Sequence, residues 1–271
     1  MQRLQKTKQA RLLNVDTYKL SCENNELIGK KSLKSAEESD DFVHVIQSVL
    51  TKYNASVVVK IHEERDKIFL QRELQSLKKL INFQNSVRYI CDFSCLDDKD
   101  RWFKKVTKDI KFCKNVKQNE HQLHFIVMEY IENGDLHEDF FDKNPPRVEI
   151  LSVFLQIALA IAILGFEYKI YHGDLHSGNI LLSHTNDEFI TYNVLDKSYN
   201  IKTYGYLPKL ADYGRSGTYD SRITHKDILE DIYMIFTSMS TWIKDIEYKD
   251  YIKDKLLIQT SNFHKFMKIF M

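Results

Sequence analysis

The sequence predicts an α+β protein of two lobes, with a β-rich first half and a helix-rich second half. Short β-branched runs cluster early in the chain, above all Val57-Val58-Val59, which reads as a buried strand. After Pro145-Pro146 helical patterns dominate, led by the apolar run Leu151–Phe166. At 271 residues the chain has room for one large domain or two modest lobes.

Element by element, Glu26–Ile28, Phe42–Leu50 and Ser56–Ile61 read as strands. Over Arg65–Leu80 the apolar residues recur at three and four (Ile68, Phe69, Leu74, Leu77, Leu80), which predicts a helix. Val87–Phe93 reads as the next strand, and the polar, Lys-rich stretch Leu96–His121 as a long connection or insertion. His124–Tyr130 is strand-like and leads into the polar turn Glu132-Asn133-Gly134-Asp135. Within the helical half, short strands are expected near Ile180–Leu182, Thr191–Leu195 and Pro208–Ala211. The lobes would join near residue 131, with residues 1–24 as an N-terminal extension, 25–130 as the first lobe and 131–271 as the second.

Composition excludes several classes. With 43% hydrophobic and 28% charged residues the chain is neither collagenous, wholly disordered nor a disulfide scaffold. A net charge of +1 gives no global drive toward nucleic acid, so no nucleic-acid partner is expected. The four cysteines (Cys22, Cys91, Cys95 and Cys113) form no Cys-x-x-Cys pair, and reduced, buried thiols are expected. Met1–Arg11 is polar and basic with no apolar core for a secretory signal. Leu151–Phe166 is short for a membrane span and carries Ser152 and Gln156, so it is expected to be a core helix. A cytoplasmic protein with no membrane span is the resulting expectation.

Four signals then follow one another along the chain. They are Val-Val-Val-Lys-Ile with Lys60 at a strand end, Glu73 in the next helix, Tyr-His-Gly-Asp-Leu-His-Ser-Gly-Asn with Asp174 and Asn179, and Leu-Ala-Asp-Tyr-Gly with Asp212. In that order they resemble the strand lysine, helix glutamate, catalytic loop and Asp-Phe-Gly segment of the protein-kinase-like superfamily, over roughly residues 25–240. The resemblance, to a divergent, viral-type Ser/Thr protein kinase, implies a two-lobed fold with a shortened C-lobe.

It also implies roles. Moving the γ-phosphoryl of ATP spreads negative charge over several oxygens, so catalysis is mostly positioning plus cations. Lys60 would meet the α- and β-phosphates, and Glu73 would hold that lysine. Asp174 would accept the proton of the acceptor hydroxyl. Asn179 and Asp212 would hold magnesium, an ion that prefers oxygen ligands. Val-Met-Glu-Tyr-Ile-Glu-Asn-Gly-Asp-Leu resembles the kinase hinge, which would set Met128 behind the adenine, the backbone of Glu129 and Ile131 at its edge, and Asp135 at the ribose. ATP and Mg2+ are the implied cofactors and a protein the implied substrate. Asp231 resembles a buried aspartate that braces the catalytic loop.

The chain departs from the pattern in three places. The phosphate-covering loop before Lys60 has only Gly29 and carries Glu37, Glu38, Asp40 and Asp41, where carboxylates would repel phosphate. The catalytic loop reads His-Gly-Asp rather than His-Arg-Asp, and His176 stands where many Ser/Thr kinases have lysine. No Ala-Pro-Glu follows Asp212. Two alternatives therefore stand beside the protein kinase: a pseudokinase scaffold, and a small-molecule kinase of the aminoglycoside or choline type, to which the catalytic loop is also similar.

Overall fold

The computed structural model describes residues 27–34, 44–50, 55–63, 67–98, 110–113, 120–132, 134–136, 140–219, 223–257 and 262–271. They divide into two compact units. The first comprises the described residues up to Glu63 together with Tyr89–Tyr130, and the second Lys67–Arg88 with Ile131–Met271.

The first unit is an antiparallel sheet of β1 (Leu27–Lys34), β2 (His44–Leu50), β3 (Ala55–Glu63), β4 (Tyr89–Asp98), β5 (Ile110–Lys111) and β6 (Glu120–Glu129), in the order β4-β6-β3-β2-β1-β5. Val57, Val59 and Ile61 alternate along β3 and point into one core with Leu27, Ile46, Leu123, Phe125 and Val127. That alternation is the period-two pattern of the sequence. Lys60 lies on the opposite face of β3 and pairs with Val45 on β2 and Ile126 on β6, so both sides of its backbone are fixed by ladders.

β4 and β5 are the two edges of this sheet, yet Cys95 of β4 is disulfide-bonded to Cys113, just after β5, with Cα atoms 5.7 Å apart. Laid flat, six strands would hold those edges about 24 Å apart. The sheet therefore coils until its edges meet. Phe112 plugs the seam, packing edge-on against Phe93 and Phe125. This corrects the expectation of reduced thiols, because partners are chosen by the coiling of the sheet and not by spacing along the chain. The stretch 96–121, read as a long connection or insertion, carries β5 within it. Trp102 and Phe103 of that segment, and Glu37, Glu38, Asp40 and Asp41, lie outside the described residues.

The second unit is built round α2 (Arg147–Phe166), apolar on all sides and buried from Val153 to Gly165. By length and composition it could cross a membrane, but 78% of its apolar window is buried inside the chain, as for a core helix. Its two polar side chains are satisfied. Ser152 Oγ donates to the Lys202 carbonyl (2.5 Å), and Gln156 Nε2 donates to the Tyr206 carbonyl (3.1 Å). Gln156 Oε1 accepts from the Tyr192 hydroxyl, which in turn accepts from Asn85 Nδ2. A buried network of this kind costs least when every member is paired, and here Asn85 Oδ1 is left without a partner among the described residues.

Around α2 lie three two-stranded pairs: β7 (Ile170–Tyr171) with β12 (Gly217–Thr218), β8 (Ile180–His184) with β11 (Tyr206–Leu210), and β9 (Phe189–Val194) with β10 (Lys197–Lys202). β7, β10 and β12 were not expected. The first and last are too short for periodicity, and β10 carries more polar than apolar residues. The remaining helices are α1 (Lys67–Lys79), α3 (His225–Ser240), α4 (Ile246–Leu257) and α5 (Phe263–Phe270). Thr224 and Asp227 cap α3 reciprocally, and Phe236 of α3 packs on Phe266 and Phe270 of α5.

Breaking the seam has a definite expected cost. Cys113→Ser removes a cross-link between residues 18 apart, which should lower unfolding free energy by about 3 kcal/mol. Urea unfolding of both proteins without reductant measures it, and with reductant present in both samples the difference between them should vanish.

Candidate functional site

The candidate residues of the second unit are gathered by the β8–β11 hairpin. Ile180 pairs with Leu210, and one step beyond the ladder the Ala211 amide donates to the Asn179 carbonyl (2.9 Å). Asn179 and Asp212 thus stand at the same end of one hairpin, although 33 positions separate them in the sequence.

The loop before β8 is tightly built. His172 is buried, and its Nε2–H donates to the Ala211 carbonyl (2.9 Å). Burial holds its pKa below the usual histidine value, so it serves as a neutral brace. The Asn179 amide nitrogen donates to the backbone carbonyl of Asp174 (2.8 Å), which fixes the main chain at the proposed base and leaves Asn179 Oδ1 as the free acceptor of that side chain. His176 Nδ1 accepts from the Gly178 amide, capping the turn Ser177–Asn179.

On the other strand of the hairpin Asp212 adopts a left-handed backbone, φ 64°, and caps the turn Tyr213–Arg215. Tyr213 is wholly buried with its ring on His172, and desolvation pushes its phenol far up. α1 packs along this turn. Glu73, on the inner face of α1 with Leu70 and Leu77, is 0% exposed. Glu73 is therefore not on a solvated helix face. Gly214 lies beside both carboxylates: a Cβ there would sit 3.4 Å from Asp212 Oδ1 and 3.9 Å from Glu73 Oε2.

A contact that sequence reasoning missed ties α1 down. Ser216 Oγ donates to the Tyr213 carbonyl (2.6 Å), so the 2.7 Å contact with Ser76 of α1 is a bond donated by Ser76. Both serines are buried and lie 140 positions apart, with no motif to announce them.

Lys60 belongs to the first unit, where its side chain is 5% exposed on β3. Met128, buried, and Glu129 end β6. Ile131 is buried in the second unit, and Asp135 bridges to Leu181 of β8 while the Gly134 carbonyl accepts from Leu182. Glu63 is also buried on β3, and Glu64 lies outside the described residues.

Comparison with known proteins decides the family. The profile described as protein tyrosine and serine/threonine kinase matches residues 38–214, a span that runs from before Lys60 to beyond Asp212. The chain belongs to the protein kinase family. It is 31% identical over 153 residues to the serine/threonine-protein kinase haspin homolog of Arabidopsis thaliana, covering 47% of this chain and 25% of that one. It is 29% identical over 94 residues to probable kinase 098L of invertebrate iridescent virus 3, covering 35% of this chain and 18% of that one. An uncharacterized protein of Caenorhabditis elegans is 35% identical over 66 residues, covering 24% and 22%. The chain therefore spans a quarter or less of the length of these relatives.

Membership of the kinase family implies ATP and a divalent metal ion. The donors present fit such an ion: an amide oxygen on Asn179 and a carboxylate on Asp212, held at one hairpin end. Among the described residues no three His, Cys, Asp or Glu side chains form a cage. A two-oxygen set suits an ion that completes its shell with water and phosphate.

Asp231, on α3, is mostly buried beside Glu230 and Asp227, and no hydrogen bond from the catalytic loop reaches it among the described residues. Desolvation, with those two neighbours adding, pushes its pKa up to about 6. An acid raised in the fold stabilises it when protonated. That contribution is full below the unfolded value of 3.8 and lost as pH rises through about 6. Asp231→Asn should therefore raise the melting temperature above pH about 7 and leave it unchanged below pH about 4, as read by thermal melts across that range.

Gly173 has φ +76°, and a Cβ there would meet the Arg215 carbonyl at 2.3 Å. Gly173→Ala should cost about 2 kcal/mol or more, measurable by urea unfolding, with a matching loss of phosphotransfer.

Proposed function

We propose that this kinase moves the γ-phosphoryl group of Mg-ATP to a Ser or Thr hydroxyl of a protein, through one domain spanning about residues 25–271 with its lobes joined near 131. The observation that carries this reading is the β8–β11 hairpin end, where Asn179 and Asp212 stand together with Asp174 tied to Asn179. The Ser/Thr assignment leans on the printed description of the Arabidopsis relative.

In this reading Asn179 and Asp212 hold the magnesium, which neutralises phosphate oxygens when bound. Lys60, the cation of β3, contacts the α- and β-phosphates, and Glu73 holds it by an ion pair. Met128, Glu129, Ile131 and Asp135 receive the nucleoside. Asp174 takes the proton from the acceptor hydroxyl, whose oxygen bonds to the γ-phosphorus as the bond to the β–γ bridging oxygen breaks and ADP leaves. His172, neutral and pinned to Ala211, keeps the loop bearing Asp174 against the strand bearing Asp212. The cytoplasmic location expected from the sequence is part of the proposal, and the Cys95–Cys113 bond pulls against it because cytosolic thiols are kept reduced.

The acidic run Glu37, Glu38, Asp40 and Asp41 favours a pseudokinase as the second reading. Label transfer from γ-labelled ATP with magnesium separates the two. Wild type should label a mixed protein acceptor, while Asp212→Ala, folded as judged by circular dichroism, should lose at least about a hundredfold. Equal transfer by Asp212→Ala sinks the metal assignment. With no transfer by the wild type, amino sugars and choline would be tried as acceptors, and failure with these too, together with no Mg-ATP binding by calorimetry, favours the pseudokinase.

A further inference from the structure

The chain after Asp212 turns back over the catalytic loop. Gly217 and Thr218 pair with Tyr171 and Ile170, and the Tyr219 amide donates to the Lys169 carbonyl (3.1 Å). This course presses the backbone of Arg215 onto Gly173, in the space where any other residue would carry its Cβ. The side chain of Arg215 then reaches Asp174, with Nη1 3.7 Å from Oδ1. The two side chains are 52% and 32% exposed. His176, two positions after Asp174, is turned away into its own cap, where Nδ1 accepts from the Gly178 amide.

We propose that Arg215 is a positioning residue for phosphotransfer, holding the Asp174 carboxylate in the direction from which it receives the acceptor proton. The inference rests on the reading of Asp174 as the proton acceptor. Asn179 fixes the backbone of Asp174 through its carbonyl, which leaves the carboxylate free to rotate about two side-chain bonds. The ion pair with Arg215 is the restraint on that rotation. A half-exposed ion pair adds little to folding stability, so this contact has scant value as a structural brace. It has value where a carboxylate must meet a hydroxyl at hydrogen-bond distance, because small misplacements of reacting groups are costly in rate. The same course of the chain explains the Gly173 of this loop: the glycine admits the Arg215 backbone, and the cation arrives from the metal-binding segment.

The full chain is used to test this, with γ-labelled ATP, magnesium and dephosphorylated casein, for wild type, Arg215→Met, Arg215→Lys, Asp174→Asn and the double variant Arg215→Met/Asp174→Asn. Arg215→Met should lower kcat about tenfold to a hundredfold, with KM for ATP and melting temperature unchanged. Arg215→Lys should recover most of the loss. On the Asp174→Asn background, Arg215→Met should have no further effect, because the two residues act as one unit. A kcat for Arg215→Met within about twofold of a working wild type overturns the role of Arg215 alone. So does a loss that adds in full on the Asp174→Asn background, or one that lysine fails to repair while KM for ATP rises. Absence of transfer by the wild type, in casein and in the chain itself, overturns the protein-kinase reading and this inference with it.

Discussion

The pairing of β8 with β11 is the constraint on which the rest of the second unit depends. It is a short ladder, closed at one end by the bond from Ala211 to Asn179. That closure sets Asn179 and Asp212 at the same end of the hairpin. Its strands are gripped from below by the α2 network, where Gln156 holds the Tyr206 carbonyl and Asn85 holds that of Pro208. The Leu210 amide donates to the Asn85 carbonyl, and Val87 donates back to Leu210. Polar groups inside an apolar core are costly unless matched, so this network admits one register of the hairpin and penalises its neighbours.

α1 is bound to the turn that follows Asp212 by the same kind of logic. Ser76 bonds to Ser216, Ser216 bonds to Tyr213, and Glu73 and Asp212 both lie within van der Waals reach of the position a Cβ on Gly214 would take. The described residues thus place helix and turn in one fixed relation through neutral hydroxyls and a glycine. Together with β12 pairing to β7, the segment after Asp212 is secured at both its near end and its return.

In the first unit the sheet supplies a different kind of constraint. Lys60 is held by ladders on both flanks, and the coiling of the sheet is locked by Cys95–Cys113 and the Phe93–Phe112–Phe125 cluster. A lysine on a twice-laddered strand has little backbone freedom.

The sequence by itself determined the elements with strong period and the residues with strong chemistry. The alternation of Val57, Val59 and Ile61, the all-apolar Leu151–Phe166 and the order Lys60, Glu73, Asp174, Asn179, Asp212 were legible because burial periods and charged motifs are local signals. Only the tertiary structure decided that Cys95 meets Cys113, that Ser76 meets Ser216, that Arg215 reaches Asp174, and that Gly173 is a glycine because another strand of backbone lies against it. Each of these joins residues with nothing periodic between them, and which distant pieces meet depends on how the sheet coils and how the loops return, quantities that no window along the chain contains.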